Sequence, residues 1–377
     1  MKEFLDKNIK EKIHQGEWSW EKKKGIGVIG LHEGKTLLKA LDRSRFAKPV
    51  AGCDQDKEKV EAMKKELPEL YYTMRYEEML KREDVDIVAI FTPDAYHGEH
   101  IDNAFKAEKD VICTKPLINS MESAKQILES AKNTGRRLMV GQSTRFFESF
   151  QRQRRAFERG EIGELEFTDA HYIHRMDWFY EKSSWAATET DWTFLGMSHP
   201  IDLLRWYLGP IDEVHAYGQT SSLGRFYKLN GFDIYTVNVK AKNKKIGRAM
   251  GHYGLKELPS ARNAIELILF GNKGTSLAQY HDMKYRYTSE DGTAICEDPL
   301  YSFRHYYFNS EIHGMHYGEF ANYTDYFIQA LIEGKSFSPD LQEGVGNFCV
   351  MEAIRRSAQK GKPVKIASIL KEIGLKT

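Results

Sequence analysis

Lys115 stands directly after the apolar run Val111-Ile112-Cys113-Thr114 and directly before Pro116. Proline restricts the backbone and offers no N–H, so the turn is stiff and holds the ammonium group in place. An ammonium group fixed at the end of a buried strand can work on a substrate hydroxyl. Two other stretches stand out with it: Phe91-Thr92-Pro93-Asp94-Ala95-Tyr96-His97 upstream and Ser198-His199-Pro200-Ile201-Asp202 downstream.

A glycine turn near the N-terminus supplies a second kind of chemistry. Gly25-Ile26-Gly27-Val28-Ile29-Gly30 matches the dinucleotide fingerprint G-x-G-x-x-G in form. That fingerprint must follow a strand, and Glu21-Lys22-Lys23-Lys24 is no buried strand. The strand is therefore 26–29, Gly30 is the first functional glycine, and the turn reads Gly30-Leu31-His32-Glu33-Gly34. His32 takes the place where a second glycine normally lets the backbone approach a pyrophosphate. Either the backbone there is strained by about 1–3 kcal/mol, or the loop widens and His32 lines the groove beside Glu33. Gly34 remains near the helix start, whose amides favour an anion. Asp54, 24 positions after Gly30, ends the next strand, where a carboxylate meets a ribose. It would repel a 2′-phosphate by about 1–4 kcal/mol at about 4 Å. With Gln55 and Asp56 following and no adjacent arginine, NAD is favoured over NADP, and Lys57 is the opposing signal.

These groups need a scaffold, and the apolar pattern provides one. Short apolar runs at 26–29, 50–53, 87–91, 111–113 and 138–140 alternate with longer amphipathic stretches, which is βαβ spacing and implies a parallel sheet. After Arg145 the chain turns to aromatic and β-rich segments at 165–173, 213–218, 235–240 and 266–270, best accounted for by a predominantly antiparallel sheet. Helices at 150–158, 199–208, 319–332 and 344–360 flank it, the last ending at Gly361 with Pro363 beyond. The stretch 221–231 reads as a loop. The fold class is thus α/β: an N-terminal extension (1–24, with Trp18 and Trp20), a Rossmann domain (25–145), and a second α/β domain (146–377) on a large, predominantly antiparallel open sheet.

Composition narrows the partners. The chain has 377 residues, 41% of them hydrophobic, enough for two cores. Lysine plus arginine number 55 against 54 aspartate plus glutamate, so no basic field invites nucleic acid. Cys53, Cys113, Cys296 and Cys349 form no Cys-x-x-Cys pair, which argues against a structural zinc site or a disulfide framework. No apolar stretch is long enough for a signal peptide or membrane span. The expectation is a cytoplasmic protein with a small-molecule ligand, no metal and no membrane partner.

Taken together, the Thr92-Pro93 and His97 stretch, Thr114-Lys115-Pro116 in place of the usual Glu-Lys-Pro, and the His199-x-x-Asp202 helix resemble the Gfo/Idh/MocA oxidoreductase family. Phe270-Gly271-Asn272-Lys273-Gly274 and Glu352-Ala353-Ile354-Arg355-Arg356-Ser357-Ala358 extend the resemblance along the chain. It implies that the second domain carries substrate on one sheet face and builds homo-oligomers with the other. Lys115 would serve both nicotinamide and substrate, and His199 would be the acid/base, an unperturbed imidazole being mostly neutral at pH 7. Many relatives place an aspartate four residues before this histidine; here the residue is Leu195.

Asp202 shares a helix face with His199 and either orients the imidazole or braces the domain junction. The resemblance implies that Thr92, Pro93 and His97 line the nicotinamide side. Thr114, Gln142 and Arg145 fall where relatives contact cofactor or substrate, and Arg145 could equally tie the domains together. His174, in the run His171 to Trp178, and the pair Asp191-Trp192 fall where substrate-facing residues are expected. The implied activity is NAD-dependent oxidation of a secondary hydroxyl on a sugar, cyclitol or glycoside, the glycoside 3-hydroxyl being a special case. A redox-neutral NAD-dependent glycosidase and a redox-silent NAD-binding regulatory protein are the alternatives.

Overall fold

Six strands pair in parallel in the order β3-β2-β1-β4-β5-β6: β1 (Lys24–Ile29), β2 (Ala47–Cys53), β3 (Tyr71–Thr73), β4 (Ile87–Ile90), β5 (Asp110–Thr114) and β6 (Leu138–Gly141). This computed structural model describes residues 23–41, 44–255, 264–299 and 318–375; the expected N-terminal extension, apart from Lys23 and Lys24, lies outside them. All four residues of β4 and of β6 are buried, since helices cover both faces of the sheet, and such strands read as unbroken apolar runs. Contrary to the sequence reading, β1 begins at Lys24. Its ammonium group reaches Asp86 at 3.0 Å and its N–H donates to Phe46 O, so the lysine lies at the open end of the strand.

The second sheet has nine strands in the order β14-β13-β12-β11-β7-β10-β9-β8-β15. They are β7 (Leu165–Ile173), β8 (Ile211–Gln219), β9 (Ile234–Ala241), β10 (Ile246–His252), β11 (Ile265–Gly271), β12 (Gly274–Tyr280), β13 (Tyr285–Ser289), β14 (Ala294–Glu297) and β15 (Val364–Lys365). Among the described residues of this sheet, only the β7–β10 pairing is parallel. In β9, Tyr235, Val237 and Val239 are buried while Thr236, Asn238 and Lys240 are exposed, the alternation of a sheet covered on one side. The cover is the helix Ser198–Leu208 together with Leu341–Lys360. The latter is fixed by a capping box between Asp340 and Glu343 and stops at Gly361 with φ +63°.

Two expectations fail here. The stretch 221–231 contains the short helix Ser222–Phe226, because Ser221 caps Gly224 N and is itself held by Asp233. The helix Glu319–Glu333 does not flank the second sheet but packs on the first. Phe320, Tyr323, Phe327 and Ile328 share a core with Ile26, Val28, Leu31 and Phe91. Its apolar stripe announced a helix, but a stripe does not name its partner. On the opposite face of the first sheet, Val88, Ile90 and Cys113 belong to the same apolar cluster as Leu203, Val214 and Leu267 of the second domain.

Candidate active site

Strand order reverses between β1 and β4, and in open parallel sheets ligands bind in the crevice beyond the strand ends at such a switch point. Gly30 leaves β1 there with φ +91°, its N–H donating to Cys53 O at 2.8 Å. A Cβ on Gly30 would lie 2.6 Å from Phe91 O, so only glycine fits. The earlier glycines serve packing: a Cβ on Gly25 would meet Asp84 O at 1.8 Å, and one on Gly27 the Met79 sulfur at 2.8 Å. The turn thus starts at Gly30, and His32 and Glu33 occupy it with half-buried side chains 3.7 Å apart. Asp54 closes it from β2, one carboxylate oxygen accepting from Leu31 N at 2.8 Å and the other from Asp56 N at 2.9 Å. The cation beside this carboxylate is Lys59, at 3.8 Å.

Lys115 leaves β5 into the crevice, and its Nζ donates to Leu195 O of the second domain at 3.0 Å. Protein atoms crowd the side chain, and burial pulls its ammonium group down to about 8, with the Asp94 carboxylate opposing the fall. Leu195 ends the helix Trp192–Leu195, and three residues later the helix Ser198–Leu208 begins, with His199 in its first turn. His199 is buried, packs edge-on against the Tyr172 ring at 5.6 Å, and has its Nδ1 3.5 Å from Thr144 Oγ1, the outer limit of a hydrogen bond. Lys115 and His199 therefore flank one backbone segment at the domain junction.

Other candidates are drawn elsewhere. His97 does not open to the cleft: its Nε2 lies 2.8 Å from Thr92 O and its Nδ1 2.9 Å from Pro116 O, making it a buried clamp between the turns after β4 and β5. The Thr92 hydroxyl turns back to His100 Nδ1 at 3.1 Å, and burial, with neighbouring His97, takes His100 down to about 4. The Thr114 hydroxyl donates to Ile90 O, and Pro93 enters the short turn of Asp94. Arg145 is no free ligand for cofactor or substrate. Its guanidinium grips both oxygens of Asp202, at 2.7 and 2.8 Å, and also reaches Ser338 and Glu343. Asp202 accordingly braces the junction rather than the His199 ring. Trp192 is core, its indole N–H donating to Ala186 O.

Gln142 fits the cofactor expectation better: it is buried at the exit of β6, and its Oε1 has no hydrogen-bond partner among the described residues. His174 follows β7, in the parity of Thr168, Ala170 and Tyr172, and its N–H donates to His252 O at 2.9 Å. Its ring neighbours are His281 at 5.8 Å and the half-exposed Trp178 at 6.1 Å. Sequence reasoning passed over Thr144, although it stands between two residues that were chosen; Tyr172 was included only within the run His171 to Trp178, with no contact to His199 foreseen. Leu195 could not be found that way, since it acts through a backbone carbonyl.

Two family models cover most of the chain: an oxidoreductase family NAD-binding Rossmann fold over residues 24–142 and the same family's C-terminal alpha/beta domain over 154–366. The chain belongs to the Gfo/Idh/MocA oxidoreductase family. Among relatives, inositol 2-dehydrogenase of Rhizobium meliloti is 22% identical over 299 residues, 75% of this chain and 82% of that protein. Alpha-N-acetylgalactosaminidase of Shewanella oneidensis is 25% identical over 236 residues, 60% of this chain but only 47% of that protein. A levoglucosan dehydrogenase solved with NADH and levoglucosan superposes with a TM-score of 0.76 at 20% identity, covering 91% of this chain and 99% of that one. Membership makes the first domain an NAD-binding one and the chain an oxidoreductase. Among the described residues no helix is long and apolar enough to cross a membrane.

Proposed function

We propose that this member of the family moves hydride between nicotinamide and a secondary hydroxyl of a sugar, cyclitol or glycoside. The observation that carries the reading is the Lys115–Leu195 hydrogen bond, which brings the turn after β5 against the segment leading into the His199 helix. The residues present suit NAD. Gly30, His32, Glu33 and Gly34 form the turn for the pyrophosphate, and Asp54 retains lone pairs for ribose hydroxyls after its backbone contacts. Gln142 Oε1, a buried acceptor without a partner among the described residues, suits a carboxamide N–H beside Thr92 and Pro93.

NAD, when bound, supplies the hydride acceptor. Lys115 releases Leu195 O and donates to the substrate oxygen, stabilising the negative charge that develops there. His199 takes the hydroxyl proton on Nε2 while Thr144 steadies Nδ1. Tyr172, His174 and Trp178 form the wall a polyol would meet, rings suiting sugar faces and imidazole suiting hydroxyls. Incubating the purified protein with NAD and a panel of cyclitols, monosaccharides and glycosides tests the reading. NADH formed together with a keto product is the expected result, and absence of both across the panel defeats it.

The galactosaminidase relative favours a second reading, net glycoside cleavage without accumulated redox change. Free sugar released with no NADH would select it. The same proposal includes homo-oligomerisation through the open face of the second sheet, where Tyr217, Ile246, Met250 and Phe270 are exposed. A native mass of one 43.6 kDa chain in solution would remove that element. Cys53, Cys113 and Cys349 are buried free thiols, which suits a reducing, cytoplasmic setting.

A further inference from the structure

Asp94 lies in the turn after β4, four residues beyond Ile90. It is buried, and its Oδ2 accepts from Thr190 Oγ1 of the second domain at 2.6 Å. Its Oδ1 is also buried and has no hydrogen-bond partner among the described residues. A buried carboxylate with one oxygen unanswered is costly and calls for a function. The geometry around it supplies one. β4 and β5 are neighbours, and His97 clamps the Asp94 turn to the Lys115-Pro116 turn through Thr92 O and Pro116 O. Asp94 and Lys115 then reach across to the same six-residue segment, Asp94 to Thr190 and Lys115 to Leu195.

We propose that Asp94 is the positioning residue for Lys115, a counter-charge built into the same turn system that keeps the lysine an ammonium ion as the crevice closes around it. The other groups nearby do not replace it. His97 and His100, on the helix behind, face Pro116 O and the Thr92 hydroxyl, and His199 on the facing helix can only add positive charge. Asp191, at the start of the helix that ends in Leu195, caps Thr193 N. The Asp94 charge acts on Lys115 in the direction that retains the proton. The role of Lys115 in turnover rests on the proposed function; its charge state does not, and the experiment separates the two.

Brief pulses of acetic anhydride across a pH series, with Lys115 acetylation of the intact chain read by peptide mass spectrometry, follow its neutral amine without any substrate. The wild-type midpoint is expected at about 8. Asp94→Asn should bring it down by roughly one pH unit or more, the usual effect of losing a close opposite charge. Asp94→Glu, which keeps the charge, and Thr190→Val, which keeps the carboxylate but removes its hydrogen bond, should stay near the wild-type midpoint. Should Asp94→Asn not fold, Asp94→Ser takes its place. An unmoved midpoint in the charge-neutral variant overturns the proposal, and so does an equal shift in Thr190→Val, which would assign the effect to packing. If the alkaline limb of kcat/KM fails to follow a midpoint that does shift, the pairing stands and the catalytic reading of Lys115 falls.

Discussion

Lys115→Ala is expected to lower kcat by about 10² to 10⁴-fold, the span typical of a positioned group acting on a proton or its charge. The fold should tolerate the change. Among the described residues the side chain makes one hydrogen bond, to Leu195 O, and the relief of taking a charge out of a crowded site offsets the counter-charge that Asp94 loses. Thermal stability should therefore hold while turnover collapses, a combination that a merely structural lysine would not produce. The pH profile gives the sign. If the ammonium form orients the substrate oxygen, wild-type kcat/KM falls as pH rises through about 8. A rate that climbs through that pH would make the neutral amine the working form, with Lys115 rather than His199 as the base.

The second large effect belongs to stability. Arg145→Ala should cost about 3–5 kcal/mol, because it strips the buried Asp202 of its hydrogen-bonded partner and leaves only longer-range compensation from Arg205. The side chains are 3% and 2% exposed and meet in a two-pronged contact. The double variant Arg145→Met with Asp202→Leu should recover much of the loss, since well-packed apolar replacements of a buried pair are often neutral. Urea unfolding of the two single variants and the double variant measures this directly. Single-variant losses under about 1 kcal/mol would show that solvent reaches the pair and that the junction is braced elsewhere.

Periodicity and turn chemistry carried the fold a long way. The apolar runs at β1, β2, β4, β5 and β6 were plain because a parallel sheet covered on both faces demands them. Tyr71–Thr73 was not, being a three-residue edge strand with too little pattern to detect. At the site, Lys115 and His199 were legible through flanking residues, and Gly30 through the strand that must precede it. Partnerships across the fold were not. Arg145 and Asp202 lie 57 positions apart, and their types are as compatible with a ligand as with each other. His97 had the right position for a cleft residue, yet both ring nitrogens are directed at carbonyls that no sequence pattern announces. Leu195 was noted for the carboxylate it lacks, whereas its contribution is an oxygen that every residue has.

The helix Glu319–Glu333 also constrains the order in which the protein is made. Phe320, Tyr323 and Phe327 complete a core begun at Ile26, so the first domain leaves the ribosome without its last apolar layer and must wait for the whole second sheet to follow. Until then Phe91 and its neighbours lack the part of their packing that this helix supplies. The Rossmann segment is thus incomplete as a packing unit until residues 320–328 have been made, and truncation before them would leave its core short of one layer.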